Sequence, residues 1–71
     1  MNSFKSKREE FRISIEEVAK KISISPYVLE DLETNNYQSI PQPFLYYCAK
    51  NYADFLKIEI PKVIKRSKPI I

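Results

Sequence analysis

The chain encodes an all-α fold, a compact five-helix bundle built around a helix-turn-helix. Three observations lead there. Apolar residues recur at helical spacing over 15–22 and 44–56, and no segment alternates in the manner of a strand. Two helix starts stand close together, one at Ser14 and one at Ser25-Pro26. Hydrophobic residues make up 44% of 71 residues, which suits one small folded domain rather than a disordered segment.

The elements follow in order. A first helix is expected over 4–11, with Phe4, Arg8 and Phe11 along one side. Ser14-Ile15-Glu16-Glu17 then forms a capping box. Ser14 can accept from the amide three residues on, and Glu17 can reach back to the amide of Ser14. It opens a short helix over 15–21 whose apolar positions are Ile15, Val18, Ala19 and Ile22. Ser25 is a good N-cap, and Pro26 suits the first helical position because its missing N–H would be unpaired there anyway. That opens a helix over 26–33, burying Val28, Leu29 and Leu32. Asn35 and Asn36 tolerate the left-handed turn that stops it. Two short capped helices joined by a tight turn make a helix-turn-helix.

Residues 34–42 form a polar loop, in which Tyr37 and Pro41 are expected to pin the chain to the core. Pro43 starts the longest helix, 44–56, and a last short helix is expected over 61–66, burying Val63 and Ile64. The domain thus spans 1–66, and 67–71 form a basic and apolar tail.

Composition bears on function. The chain has no histidine, no glycine and one cysteine, Cys48. Histidine-based catalysis and the commonest zinc ligands are therefore excluded, as are glycine-rich phosphate loops. An enzyme is not expected, and neither is a cofactor. A lone Cys48 fits a reducing compartment such as the cytoplasm, where it packs as a small hydrophobe. No apolar run reaches the roughly 20 residues of a membrane span, and the N-terminus lacks a signal-peptide apolar region. The ending KRSKPII is either a solvated tail or a basic segment preceding a membrane helix.

A helix-turn-helix invites a nucleic-acid reading, which the charge distribution opposes. The net charge of +3 divides into +2 over 1–12, 0 over 13–24, −3 over 25–36, 0 over 37–54 and +4 over 55–71. The basic excess sits at the two ends, while the helix that would read DNA is acidic. Its outer face carries Tyr27, Glu30, Asp31 and Thr34. Carboxylates repel phosphates, and phosphate neutralisation supplies much of DNA affinity. Tyr27 and Thr34 are the residues through which any base contact would run. Arg8 is expected to pair with this acidic helix.

The longest helix carries two stripes. Leu45, Ala49, Tyr52, Ala53 and Leu56 form a core face. Phe44, Tyr47, Cys48, Asn51 and Phe55 form a neighbouring face that either completes the core or meets a partner, with Tyr46 and Lys50 at its edge.

The run FKSKREEFRISIEEVAKKISISPYVLEDLE resembles the phage-repressor-like helix-turn-helix family. The continuation, with Tyr37, Ile40-Pro41, Tyr52-Ala53 and Leu56-Lys57-Ile58, is similar to the N-terminal cytoplasmic domain of the RodZ cell-shape family. The match covers about residues 4–64. Arg12 stands where that family usually has glycine, so Arg12 either adopts a left-handed conformation at modest cost or the turn is built differently. The family often has an aromatic at the place of Cys48, whereas here the aromatic stands one place earlier, at Tyr47. The resemblance implies a scaffold domain at the inner face of the cell membrane that binds MreB, the bacterial actin homologue. In that family the docking surface includes aromatic positions matching Phe44 and Cys48; together with the neighbouring stripe and its edge, the expected docking residues are Phe44, Tyr47, Cys48, Lys50 and Asn51. A membrane helix would follow a basic linker lying near anionic lipid, and the 71 residues would be the head of a longer protein.

Overall fold

The computed structural model describes residues 3–62 and residue 64. They form four α-helices: α1 (Ser3–Glu10), α2 (Ile15–Ile22), α3 (Pro26–Glu33) and α4 (Phe44–Leu56). A single 3-10 turn, Tyr37–Ser39, lies in the loop between α3 and α4. No strand occurs among the described residues.

Local chemistry sets the helix starts. Ser14 Oγ accepts from the Glu17 amide at 3.1 Å, which is one half of the expected capping box. Ser25 Oγ accepts from the Tyr27 amide at 3.2 Å, with Pro26 in the first turn. Each serine satisfies an amide that the helix leaves without a carbonyl.

The helix ends share one device, built without glycine. Arg12, Ser23, Asn35 and Lys57 all adopt the left-handed region, with φ of 56°, 58°, 61° and 60°. At each, the next amide donates to the carbonyl five residues back. The pairs are Ile13 to Arg8 (3.4 Å), Ile24 to Ala19 (3.2 Å), Asn36 to Asp31 (2.8 Å) and Ile58 to Ala53 (2.9 Å). This is the Schellman arrangement, which satisfies late carbonyls and reverses the chain. Three of the four residues after the reversal are isoleucines. Ile24 is buried, and Ile13 and Ile58 pack against the core.

The core gathers Phe4, Val18, Leu29, Leu32, Ile40 and the inner face of α4. Ile40 anchors the loop, with Tyr37 half-buried beside it, while Pro41 is exposed. Phe11 does not join Phe4 and Arg8 on an inward face. The helix stops at Glu10 and Arg12 reverses the chain, so Phe11 is left 45% exposed. The Lys7 ammonium lies 5.6 Å from its ring centroid.

The expected fifth helix is corrected. Ile64 donates to the Pro61 carbonyl at 2.9 Å in one short turn, and Pro61, Lys62 and Ile64 are not helical. Six residues are too few to overcome the cost of helix nucleation without strong packing. Ile64 is still buried, and Val63, Lys65 and Arg66 lie outside the described residues, as does the tail 67–71.

One buried polar cluster joins three helices. Arg8 Nε donates to Glu33 Oε2 at 2.7 Å and Arg8 Nη2 to Glu33 Oε1 at 3.1 Å. Arg8 Nη1 donates to the Ile13 carbonyl at 3.0 Å. The Tyr52 hydroxyl donates to Glu33 Oε2 from the other side. Glu33 is 7% exposed, so its charge depends on these donors. The hydrogen bond to Glu33 raises the Arg8 pKa above its ordinary value. Burial, and then Glu33 itself, push the Tyr52 hydroxyl well above the usual phenol range. The Phe4 and Tyr52 rings stack 4.9 Å apart and 8° from parallel.

Removing one partner of a buried pair strands the other, so Arg8→Ala should cost about 3–5 kcal/mol in urea unfolding. Tyr52→Phe removes one hydrogen bond and should cost about 1–2 kcal/mol. A loss below about 1 kcal/mol for Arg8→Ala would show that the cluster does not hold the helices together. Ser23→Gly and Lys57→Gly should each stabilise by roughly 0.5–1 kcal/mol, because relief of the left-handed penalty exceeds glycine's extra unfolded entropy. Lys20→Gly, inside α2, should instead cost about 1 kcal/mol in the same unfolding series.

Candidate functional site

Helix α4 presents its core face as the spacing requires: Leu45, Ala49, Tyr52, Ala53 and Leu56 are all buried. The neighbouring stripe divides. Phe44 is 44% exposed and Tyr47 56% exposed, with rings stacked 6.0 Å apart and 19° from parallel. Asn51 and Phe55 are half-buried. Asn51 Nδ2 donates to the Tyr47 carbonyl at 2.7 Å one turn back, which orients the amide along the helix. Lys50 is exposed and bonds Asp54 at 3.1 Å. Tyr46 turns inward against the core instead of joining the rim.

Cys48 takes no place on the exposed face. It is fully buried, because it lies between the core face and the aromatic pair on the side of α4 that the domain covers. Burial pushes its thiol up to about 11. Of the five residues assigned to docking, the structure groups Phe44, Tyr47, Lys50 and Asn51 on or beside one accessible surface. A stacked aromatic pair flanked by an ion pair can bury apolar area with little loss of side-chain entropy.

The outer face of α3 is arranged differently. Tyr27 is 79% exposed, and Thr34 is exposed two turns on. Thr34 Oγ1 donates to the Glu30 carbonyl at 3.0 Å, so its proton is used within the helix. Asp31 accepts from Asn36 Nδ2 at 3.2 Å. No lysine or arginine lies on α3. Beside it, a shallow apolar depression at the α2–α3 turn is lined by Ala19, Ile24 and Pro26, with Glu16 and Lys20 at its edge.

Two features escaped the sequence reading. The burial of Glu33 had a signal in its spacing, since it stands one turn after the inward Leu29 and next to Leu32. The exposure of Phe11 had none, because it depends on where α1 ends. Among the described residues, no group of Cys, Asp and Glu could hold a metal ion. No helix there is long and apolar enough to cross a membrane.

The buried thiol gives a test of this placement. Cys48 should resist an aromatic disulfide reagent at pH 8 and react fully once urea unfolds the chain. The unfolded thiol ionises near about 8.5 and the folded one near about 11. The folded state thus holds its proton longer, and stability should fall as pH rises through that window. Rapid reaction of the folded chain would place Cys48 on the surface.

Comparison with known proteins adds the family. The family described as "Helix-turn-helix domain" matches residues 4–63, which includes all of α2, α3 and α4. The chain is similar to a protein of Haemophilus influenzae described as an uncharacterized protein, 39% identical over 57 residues. That match covers 78% of this chain and 19% of the relative, so the chain spans about a fifth of that protein's length. No solved structure gives a significant match. With its two capped helices, the tight turn between them and a family match over nearly the whole fold, the chain belongs to the helix-turn-helix domain family.

Proposed function

We propose that this domain is a non-catalytic protein-interaction module of a cell-shape scaffold similar to the RodZ family. It docks on MreB, the bacterial actin homologue, at the cytoplasmic face of the membrane. The observation that carries this reading is the exposed Phe44–Tyr47 stack on a helix whose opposite face is core. An aromatic pair held at the surface by a rigid helix is a preformed anchor, and such anchors dominate interface energies. Lys50, Asn51 and Asp54 supply a polar rim. The basic residues that follow α4 suit anionic lipid headgroups, which attract lysine and arginine by roughly 1 kcal/mol each.

The helix-turn-helix itself favours a second reading, a DNA-binding transcription regulator of the phage-repressor-like class. The outer face of α3 opposes it. Glu30 and Asp31 would face phosphates with no base on the helix to offset them. Tyr27 and Thr34 would be left to read bases almost alone.

Co-sedimentation with MreB filaments separates the readings. The wild-type domain should pellet with filaments, and Phe44→Ala with Tyr47→Ala should weaken this by at least about tenfold, or 1.4 kcal/mol, for loss of a two-residue hot spot. Both side chains are already partly exposed, so the variant should keep its helical circular dichroism. Equal pelleting of a folded double variant would remove this face from the mechanism. Duplex binding at low salt that is lost on Tyr27→Ala would favour the regulator.

A further inference from the structure

The apolar depression at the α2–α3 turn has a volume of about 360 Å³ and lies open to solvent. No residue of α4 lines it. Beside it stands Tyr27, which at 79% is the most exposed of the large apolar side chains among the described residues. Tyr27 is not part of the lining. It follows Pro26 directly on α3, and consecutive helical residues point about 100° apart, so its ring is turned aside. A ring in water next to an open apolar hollow leaves two surfaces that would each gain by burial.

The charges at the edge of the hollow are equally unsatisfied. Glu16 and Lys20 stand one turn apart on α2, yet neither makes an ion pair or a side-chain hydrogen bond among the described residues. Lys50 and Asp54, at the same spacing on α4, are joined at 3.1 Å. The Tyr27 hydroxyl has no partner among the described residues either, while Ser23 and Ser25 line the hollow. One patch thus holds a knob and a hole, an unpaired acid and an unpaired base.

We infer that this patch pairs with a second copy of the chain in an isologous dimer. Two-fold symmetry sets one patch against itself, so the patch must contain both halves of every contact, as this one does. The Tyr27 ring of each copy enters the hollow of the other, and its hydroxyl reaches Ser23 or Ser25. The two α2 helices cross antiparallel near Ala19, whose small side chain admits a close approach. Glu16 of each copy then meets Lys20 of the other. The patch is small, so the dimer is weak and short-lived. Chains held close together form it at a much lower bulk concentration. None of these contacts uses α4.

Sedimentation equilibrium tests the pairing up to about 1 mM, where a dimer with a dissociation constant of about 1 mM holds half of the protomers. The average mass should rise with concentration. Tyr27→Ala should weaken association at least about tenfold, as for a central tyrosine anchor. Glu16→Lys or Lys20→Glu alone sets like charges together and should leave monomers. An equimolar mixture of those two variants should dimerise again, because each offers the charge the other lacks. Both positions are exposed, and circular dichroism on each variant checks that it remains helical. Phe44→Ala with Tyr47→Ala should dimerise as the unmodified chain does, so failure of the α4 docking face and failure of this pairing are distinguishable. A chain that stays monomeric at about 1 mM, a dimer indifferent to Tyr27→Ala, or a charge-swapped mixture that stays monomeric would each overturn the pairing.

Discussion

Glu33 is a carboxylate almost wholly withdrawn from water, and the arrangement of three helices follows from how it is satisfied. Its two oxygens receive the Arg8 fork from α1 and the Tyr52 hydroxyl from α4, while its own backbone belongs to α3. A buried charge without such donors is so unfavourable that the three helices have few other relative placements. Arg8 also donates to the Ile13 carbonyl, which fixes the turn between α1 and α2. The apolar core supplies most of the driving force but is tolerant of orientation. The polar cluster is directional, and it sets the geometry.

The absence of glycine gives the fold a second constraint. Each helix ends by the same left-handed reversal, and each reversal uses a residue with a β-carbon. The following isoleucines, Ile13, Ile24 and Ile58, explain why this is tolerated. Three of the four reversals carry an apolar side chain to the core at the moment the chain turns, and that burial offsets backbone strain of about 1–2 kcal/mol. Helix-turn-helix geometry is thereby reached through packing where glycine would reach it through flexibility.

These two constraints decide which residues of α4 reach the surface. Tyr52 is committed to Glu33 and Phe4, so the inward side of α4 is fixed. That rotation places Phe44 and Tyr47 outward and draws Cys48 into the core. On α3, Glu30 is exposed and Asp31 half-buried with no base on the helix, which disfavours a phosphate backbone. In this member of a helix-turn-helix family the exposed stacked aromatic pair lies on α4, not on the acidic α3.

What the sequence by itself determined was local. Ser14, Ser25-Pro26, the span of α4 and its core face were legible because caps and 3.6-residue spacing act within a few residues. The pairing of Arg8 with the third helix was legible from charge alone. Tertiary structure decided the rest. Whether Phe11 turns inward depended on the reversal at Arg12, and Pro61, Lys62 and Ile64 form a turn rather than a helix even though Ile64 is buried. Cys48 and Tyr46 lay at the border of two stripes, so only the rotation of α4 could assign them to a side. Spacing from Leu29 hints that Glu33 turns inward, but only Arg8 and Tyr52, from residues far away in the chain, make its burial favourable.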